Sequence, residues 1–239
     1  MSIRGDYFIN VWNAWWMDTA VLERGESPWW TDALHHPRGL SLAKHTLSPL
    51  NSLAVGALGR AVGVHDGFKL VLLVHVVLGG WFMYLLAVRL TGSRAGALVA
   101  GTLFAATPYR TCYVAQMNVG TLEFLPLALF FMVGAWRTGR RSQVLGVALA
   151  AALLAATSLY YLVFAALMGG LVLVGGRTLD RSVPWVVGAR RMLAAGAAAA
   201  LAGALVAWPT VTGMVGPDGE GGEPSAVAEE VPDGDDESG

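Results

Sequence analysis

Residues 144–176 read VLGVALAAALLAATSLYYLVFAALMGGLVLVGG, 33 positions without one charged side chain. As a single helix this stretch would be about 50 Å long, against a hydrocarbon core of about 30 Å. It must therefore fold back on itself, and TSLYY at 157–161, polar and aromatic amid Ala, Leu and Val, is the natural break. The run thus supplies two membrane helices joined by a tight turn. Four further uncharged runs, at 70–88, 95–109, 124–136 and 192–208, bring the count to six. Several are short and require tilt, local thinning or a membrane-level cavity where they end.

Composition agrees with that reading. Of 239 residues 55% are hydrophobic and 14% are charged, and the charged share is far below the roughly 25% of soluble domains. The net charge of −1 conceals segregation, because nine of the seventeen acids lie between Asp218 and Glu237. The expected fold class is all-α, a polytopic transmembrane helical bundle. Residues 1–67 form a first extracytoplasmic loop with interfacial amphipathic helices, residues 68–208 the six-helix region, and residues 209–239 an acidic, disordered tail. MSIRGDYF at the start lacks the apolar stretch of a signal peptide, and the single Cys112 allows no internal disulfide.

Basic residues set the expected orientation. One set of connections holds Arg89 and Arg94, then Arg137, Arg140 and Arg141, then Arg177, Arg181, Arg190 and Arg191; the opposite connections hold Arg110 alone. By the positive-inside rule the first set is cytoplasmic. Residues 1–67, Arg110, the Tyr160 turn and the tail then lie outside a multi-pass plasma-membrane protein.

Within residues 1–67, Phe8, Trp12, Trp15 and Trp16 share one helical face. Asp6, Asn10 and Asn13 share the other, at i, i+4, i+7. Such a helix suits the bilayer interface, its aromatic face toward lipid and its polar stripe toward an aqueous cleft. Residues 25–49 are turn-rich (GESPWW, HHPRG, SPLN), and a second short helix is expected over 50–62. The small-residue runs GALVAG at 96–101 and AAGAAAALAGAL at 194–205 permit close helix packing.

Soluble-enzyme motifs are absent: there is no phosphate-binding glycine loop, CxxC pair or HExxH. The polar residues with chemical potential all fall on the outer side, where each is alternatively a solvated loop residue. Asp6, at the head of its helix, is a candidate base or a helix cap. His35 and His36 are candidate metal ligands, but adjacent histidines point apart. A metal site would need a third ligand such as Asp32, His45 or Glu123. Arg38, Lys44 and Arg110 suit a phosphate clamp or, equally, a lipid head group. A transporter, the second alternative, would need ionisable groups inside the helices, and these have almost none apart from His75, which is expected to hydrogen-bond a neighbouring helix.

GDYFINVWNAWW, HHPRGLSLAKHTLSPLNSL, GWFMYLLAVRLTGSRAGALVAGTLFAATPYR and TSLYYLVF, in that order over residues 5–208, resemble the GT-C superfamily of polytopic glycosyltransferases. The likeness is to bacterial members that use polyprenyl-phosphate sugars. It implies inverting transfer of a sugar from a lipid phosphate to a glycan, lipid or protein acceptor during cell-envelope glycan assembly. Asp6 is then general base or metal partner, with Asn10, Asn13, Arg38, Lys44, His45, Arg110 and Tyr160 as substrate-binding residues. A cation among Lys44, His45 and Arg110 would stabilise the departing phosphate. A divalent metal ion is left open, and nothing suggests nucleic acid. The resemblance also implies a membrane helix ahead of Asp6 and more after residue 208, so the chain reads as a piece of a longer protein. A non-catalytic binder of lipid-linked glycan is the principal alternative.

Overall fold

The structure is a computed structural model and describes residues 3–215; the expected acidic tail, from residue 216 onward, lies outside the described residues. It is an all-α bundle. α1 (Ile3–Met17) continues as one π-helical stretch, Asp18–Glu23. A minimal antiparallel hairpin follows within the expected loop, β1 (Trp30–Thr31) against β2 (Leu40–Ser41), with Trp30 opposite Ser41. Gly39, at φ +72°, closes it beneath the Trp30 ring, where a Cβ would lie 2.7 Å from a ring carbon.

α2 (Pro49–Val62) starts with proline at its first position, where the missing N–H costs nothing, and turns at Gly63, φ +86°, into α3 (Val64–Thr91). α4 (Arg94–Ala105) opens with Ser93, whose Oγ accepts from the Gly96 N–H at 3.1 Å. Two short helices, α5 (Pro108–Cys112) and α6 (Met117–Gly120), lead to α7 (Phe124–Thr138). Then come α8 (Arg141–Thr157), α9 (Leu159–Leu179) and α10 (Trp185–Val215). α10 runs on through Pro209, past the point where the sequence placed the start of the tail.

Among the described residues four stretches, Val64–Thr91, Met117–Thr138, Leu159–Leu179 and Trp185–Thr212, are long and apolar enough to cross a membrane. α8 has 17 residues, about 25 Å of helix, and α4 only 12, about 18 Å. The break within the 144–176 run falls at Ser158, which is extended (φ −164°, ψ 124°). Its freed backbone is not left bare in the bundle: Ser48 Oγ donates to the Thr157 carbonyl at 2.7 Å, and Thr157 Oγ1 donates to the Leu153 carbonyl at 2.7 Å.

The main core joins α7 to α8, α9 and α10 around Trp136, Leu154, Val147 and Ala195, all buried. At the arginine-rich end three guanidinium groups close it. Arg137 donates to the carbonyls of Arg89 (2.7 Å) and Leu179 (3.1 Å), and Arg191 to those of Trp136 (3.0 Å) and Arg137 (2.9 Å). Arg89 donates to Phe130 O and Gln143 Oε1. C-terminal helix carbonyls have no intrahelical donor, and Arg137 and Arg191 satisfy them while opposing the negative helix ends, whereas Arg89 reaches a carbonyl midway along α7. At the opposite end α1 and α2 pack on α3 around Ala14, Val55, Phe68 and Met117.

Candidate functional site

The short α4 decides the geometry of that opposite end. Because it stops well below the start of α3, the connection from Ala106 to Glu123 sinks into the bundle and carries its polar residues inward. Glu123 has 0% exposure, and its Oε1 lies 2.7 Å from His75 Nδ1 on α3, which is the interhelical partner expected for that histidine. Arg110 is also buried and lies over the Phe104 ring at 5.4 Å. Its guanidinium occupies the space beside Gly79 that any side chain there would fill. Glu123 is near enough to act on Arg110 electrostatically, but burial outweighs that attraction and lowers the Arg110 pKa below its ordinary value. Among the described residues, Arg110 Nε and Nη2 and Glu123 Oε2 are buried without a hydrogen-bond partner.

The same connection is pinned from three sides. Tyr161 donates its hydroxyl to Val119 O. Asn51 Nδ2 donates to Thr121 Oγ1 at 3.2 Å and to Met117 O at 3.4 Å. Asn10 Nδ2 donates to Ala115 O at 2.9 Å. Against this platform stands Asp6, partly exposed, with Oδ2 accepting from Gln116 Nε2 at 2.6 Å. Among the described residues its carboxylate accepts from a side chain, and no backbone N–H caps onto it. An apolar crevice of about 620 Å³ opens alongside, lined by Tyr7, Phe8, Phe68, Lys69, Leu72, Val114 and Ala115. Tyr7 and Ala115 are the chain neighbours of Asp6 and Gln116.

The faces of α1 differ from those expected. Phe8 and Trp15 are exposed, but Trp16 is buried, its Nε1 donating to Pro28 O at 2.9 Å. The polar stripe does not line an aqueous cleft. Asn10 is buried, and Asn13, at 0% exposure, bonds Thr46 O and His45 Nε2 at 3.2 and 2.8 Å. The physical reason is local: the loop after the hairpin covers Asn13 and offers it the Thr46 carbonyl, while the 106–123 connection covers Asn10 and offers it the Ala115 carbonyl. Asp6, at the open end of the stripe, is the member that keeps solvent contact.

The other expected residues are dispersed. Arg38 and Lys44 are exposed on the loop and His45 is half-buried, with its pKa lowered by burial. Tyr160 is 70% exposed, and the adjacent Tyr161 is the one turned into the polar cluster. His35 and His36 sit exposed at the hairpin turn, where His35 has φ 56° and the His36–Pro37 bond is cis. Glu123 is sealed in the bundle and is not brought to His35 and His36. Among the described residues no His, Cys, Asp and Glu side chains form a group of three or more that could hold a metal ion. Gln116, His75 and Tyr161 join the site from the structure; His75 stood out in the sequence as the ionisable exception inside an apolar helix.

Residues 58–210 match the profile of the dolichyl-phosphate-mannose-protein mannosyltransferase family. The chain belongs to that family. It is a membrane glycosyltransferase of the GT-C type, as the motif resemblance implied. The matched region runs from the end of α2 into α10 and contains His75, Arg110, Gln116, Glu123 and Tyr161, whereas Asp6, Asn10, Asn13, Arg38, Lys44 and His45 precede it. No curated protein and no solved structure matches the chain.

Proposed function

We propose that the chain transfers a sugar from a polyprenyl-phosphate donor to an acceptor hydroxyl on the extracytoplasmic face of the plasma membrane, with Asp6 as general base. The observation that carries this reading is the family match over 58–210. Asp6 receives support from its place: a partly solvated carboxylate beside an apolar crevice, where the donor's isoprenoid chain lies.

The acceptor hydroxyl gives its proton to the Asp6 carboxylate as its oxygen attacks the anomeric carbon. The bond from that carbon to the phosphate oxygen breaks with inversion, and polyprenyl phosphate leaves with the bonding pair. A cation must offset the charge gathering on that phosphate. Arg110 is sealed beside Glu123 and burial favours neutral His45, which leaves Lys44, at the surface of the same end, as the best placed of the three.

The test is Asp6→Asn in the full chain, reconstituted with polyprenyl-phosphate mannose and a panel of other polyprenyl-phosphate hexoses and pentoses. Transfer should fall by roughly 10²–10⁴-fold with membrane insertion intact. A helix cap would tolerate the change, because Asn caps about as well as Asp. Near-normal transfer by Asp6→Asn, or no turnover of any panel donor by the unaltered chain, overturns the reading.

A further inference from the structure

Gln116 has no part in the proton transfer just described, yet its surroundings are unusually fixed. Its N–H donates to Tyr113 O at 2.9 Å, and its carbonyl accepts from Val119 N and Gly120 N at 3.0 and 2.8 Å. Ala115 and Met117 on either side are buried, and each offers its carbonyl to an asparagine of another helix, Asn10 and Asn51. From this anchored backbone the Gln116 side chain reaches a carboxylate 110 positions earlier in the chain. Asn10 Nδ2, already on Ala115 O, also donates to the Asp6 carbonyl at 2.9 Å. Both the side chain and the backbone of Asp6 are therefore referenced to one rigid turn.

We infer that Gln116 is a positioning residue: through its bond to Oδ2 it holds the Asp6 carboxylate in one rotamer and aims Oδ1 at the acceptor hydroxyl. The inference rests on the reading of Asp6 as the base. An unrestrained aspartate on a helix samples several staggered rotamers, and misplacing a catalytic group by about 1 Å can cost about 10²-fold in rate. The residue type fits the task. A lysine or arginine would also hold the carboxylate, but its full charge would favour the ionised form and weaken it as a base. The neutral amide gives one charge-assisted hydrogen bond without that penalty.

Gln116→Met, close in length but without a donor, should lower kcat by about 10–100-fold with little change in KM for polyprenyl-phosphate mannose or whichever panel donor the chain turns over. Gln116→Glu supplies a readout that a merely structural role would not move. At high pH two carboxylates meet and repel; at low pH the protonated glutamic acid donates in place of the amide. The ratio of Gln116→Glu to wild-type activity should therefore rise as pH falls, while the Gln116→Met ratio stays flat. Neighbouring titratable and charged groups, Tyr7 on α1, His65, Asp66 and Lys69 on α3, and Tyr109, Arg110, Cys112 and Tyr113 on and after α5, are common to all three proteins and cancel in the ratio. Wild-type kcat in Gln116→Met, or a flat Gln116→Glu ratio, overturns the inference while leaving Asp6 as base if Asp6→Asn is inactive. An active Asp6→Asn overturns both. Should Gln116→Met fail to reach the membrane, the pH series on Gln116→Glu decides alone.

Discussion

Glu123 exposes no surface to solvent, and among the described residues one of its carboxylate oxygens has a partner, His75, and the other has none. Removing it would strand buried Arg110 and leave His75 Nδ1 unpaired, so Glu123→Ala should cost about 3–5 kcal/mol. Glu123→Gln keeps a partner for His75 and should cost less. Thermal unfolding of the detergent-solubilised chain distinguishes the two, and equal losses would mean that volume rather than pairing holds the site. His45 gives a pH-dependent counterpart. Its native pKa lies below the ordinary 6.5 because burial disfavours the imidazolium, so the unfolded chain binds the extra proton first. Stability should therefore be level above about pH 6.5 and fall as the pH drops through the native pKa. Because the ring is half-exposed, the slope should stay well under the one-proton ceiling of about 1.4 kcal/mol per pH unit. Comparing His45→Gln with the unaltered chain isolates this dependence, and identical profiles would remove it. At this scale the sequence was least legible. In the sequence Glu123 read as an outer-side residue and a candidate third metal ligand, because nothing local states that α4 stops short and draws it inward. The choice between Tyr160 and Tyr161 turned on a single position, and one residue rotates a side chain by about 100° on a helix.

Membrane helices were far more legible than the faces of α1, since an uncharged run long enough to span a bilayer has few alternatives in lipid. The break at Ser158 was readable because 33 residues overshoot the membrane and only TSLYY interrupts them. Packing partners were not readable. Arg137 and Arg191 counted as loop charge in the sequence, whereas the structure uses them to close helix ends, a role that depends on which carbonyls the bundle brings near. Trp136 shows the same limit. Its ring lies between Gly176 of α9 and Gly188 of α10, and a Cβ at Gly188 would come within 2.6 Å of it, with Gly176 closer still. Gly176→Ala and Gly188→Ala should each destabilise the chain by about 1–3 kcal/mol through overpacking. Trp136→Leu should relieve either change although it is itself costly. Thermal inactivation of the single and double variants measures this, and simple additivity would show that the three residues do not share one contact.

For the whole molecule, the fold places nine arginines at one end of the bundle and Asp6, Gln116 and the crevice beside Tyr7 at the other. That separation requires a definite orientation if the chain works on an extracytoplasmic acceptor. α8 supplies a short ruler for it. Arg140 lies just before the helix and Tyr160 in the first turn of α9 beyond it; both are exposed, and the 17 residues of α8 that separate them span about 25 Å. Cys112, the single cysteine and exposed, is first replaced by serine. Tyr160→Cys should then react with a membrane-impermeant maleimide on intact cells, and Arg140→Cys only after permeabilisation. The arginine count favours this result because cationic loops resist translocation, even though Arg137 and Arg191 also serve as helix staples. Arg140→Cys labelled from outside with Tyr160→Cys protected would invert the chain. The Asp6 carboxylate would then face the cytoplasm, and a lipid-linked donor on the outer leaflet could not reach it. Labelling of both from outside would mean that α8 does not cross, and the fold-back read from residues 144–176 would have to be a re-entrant hairpin.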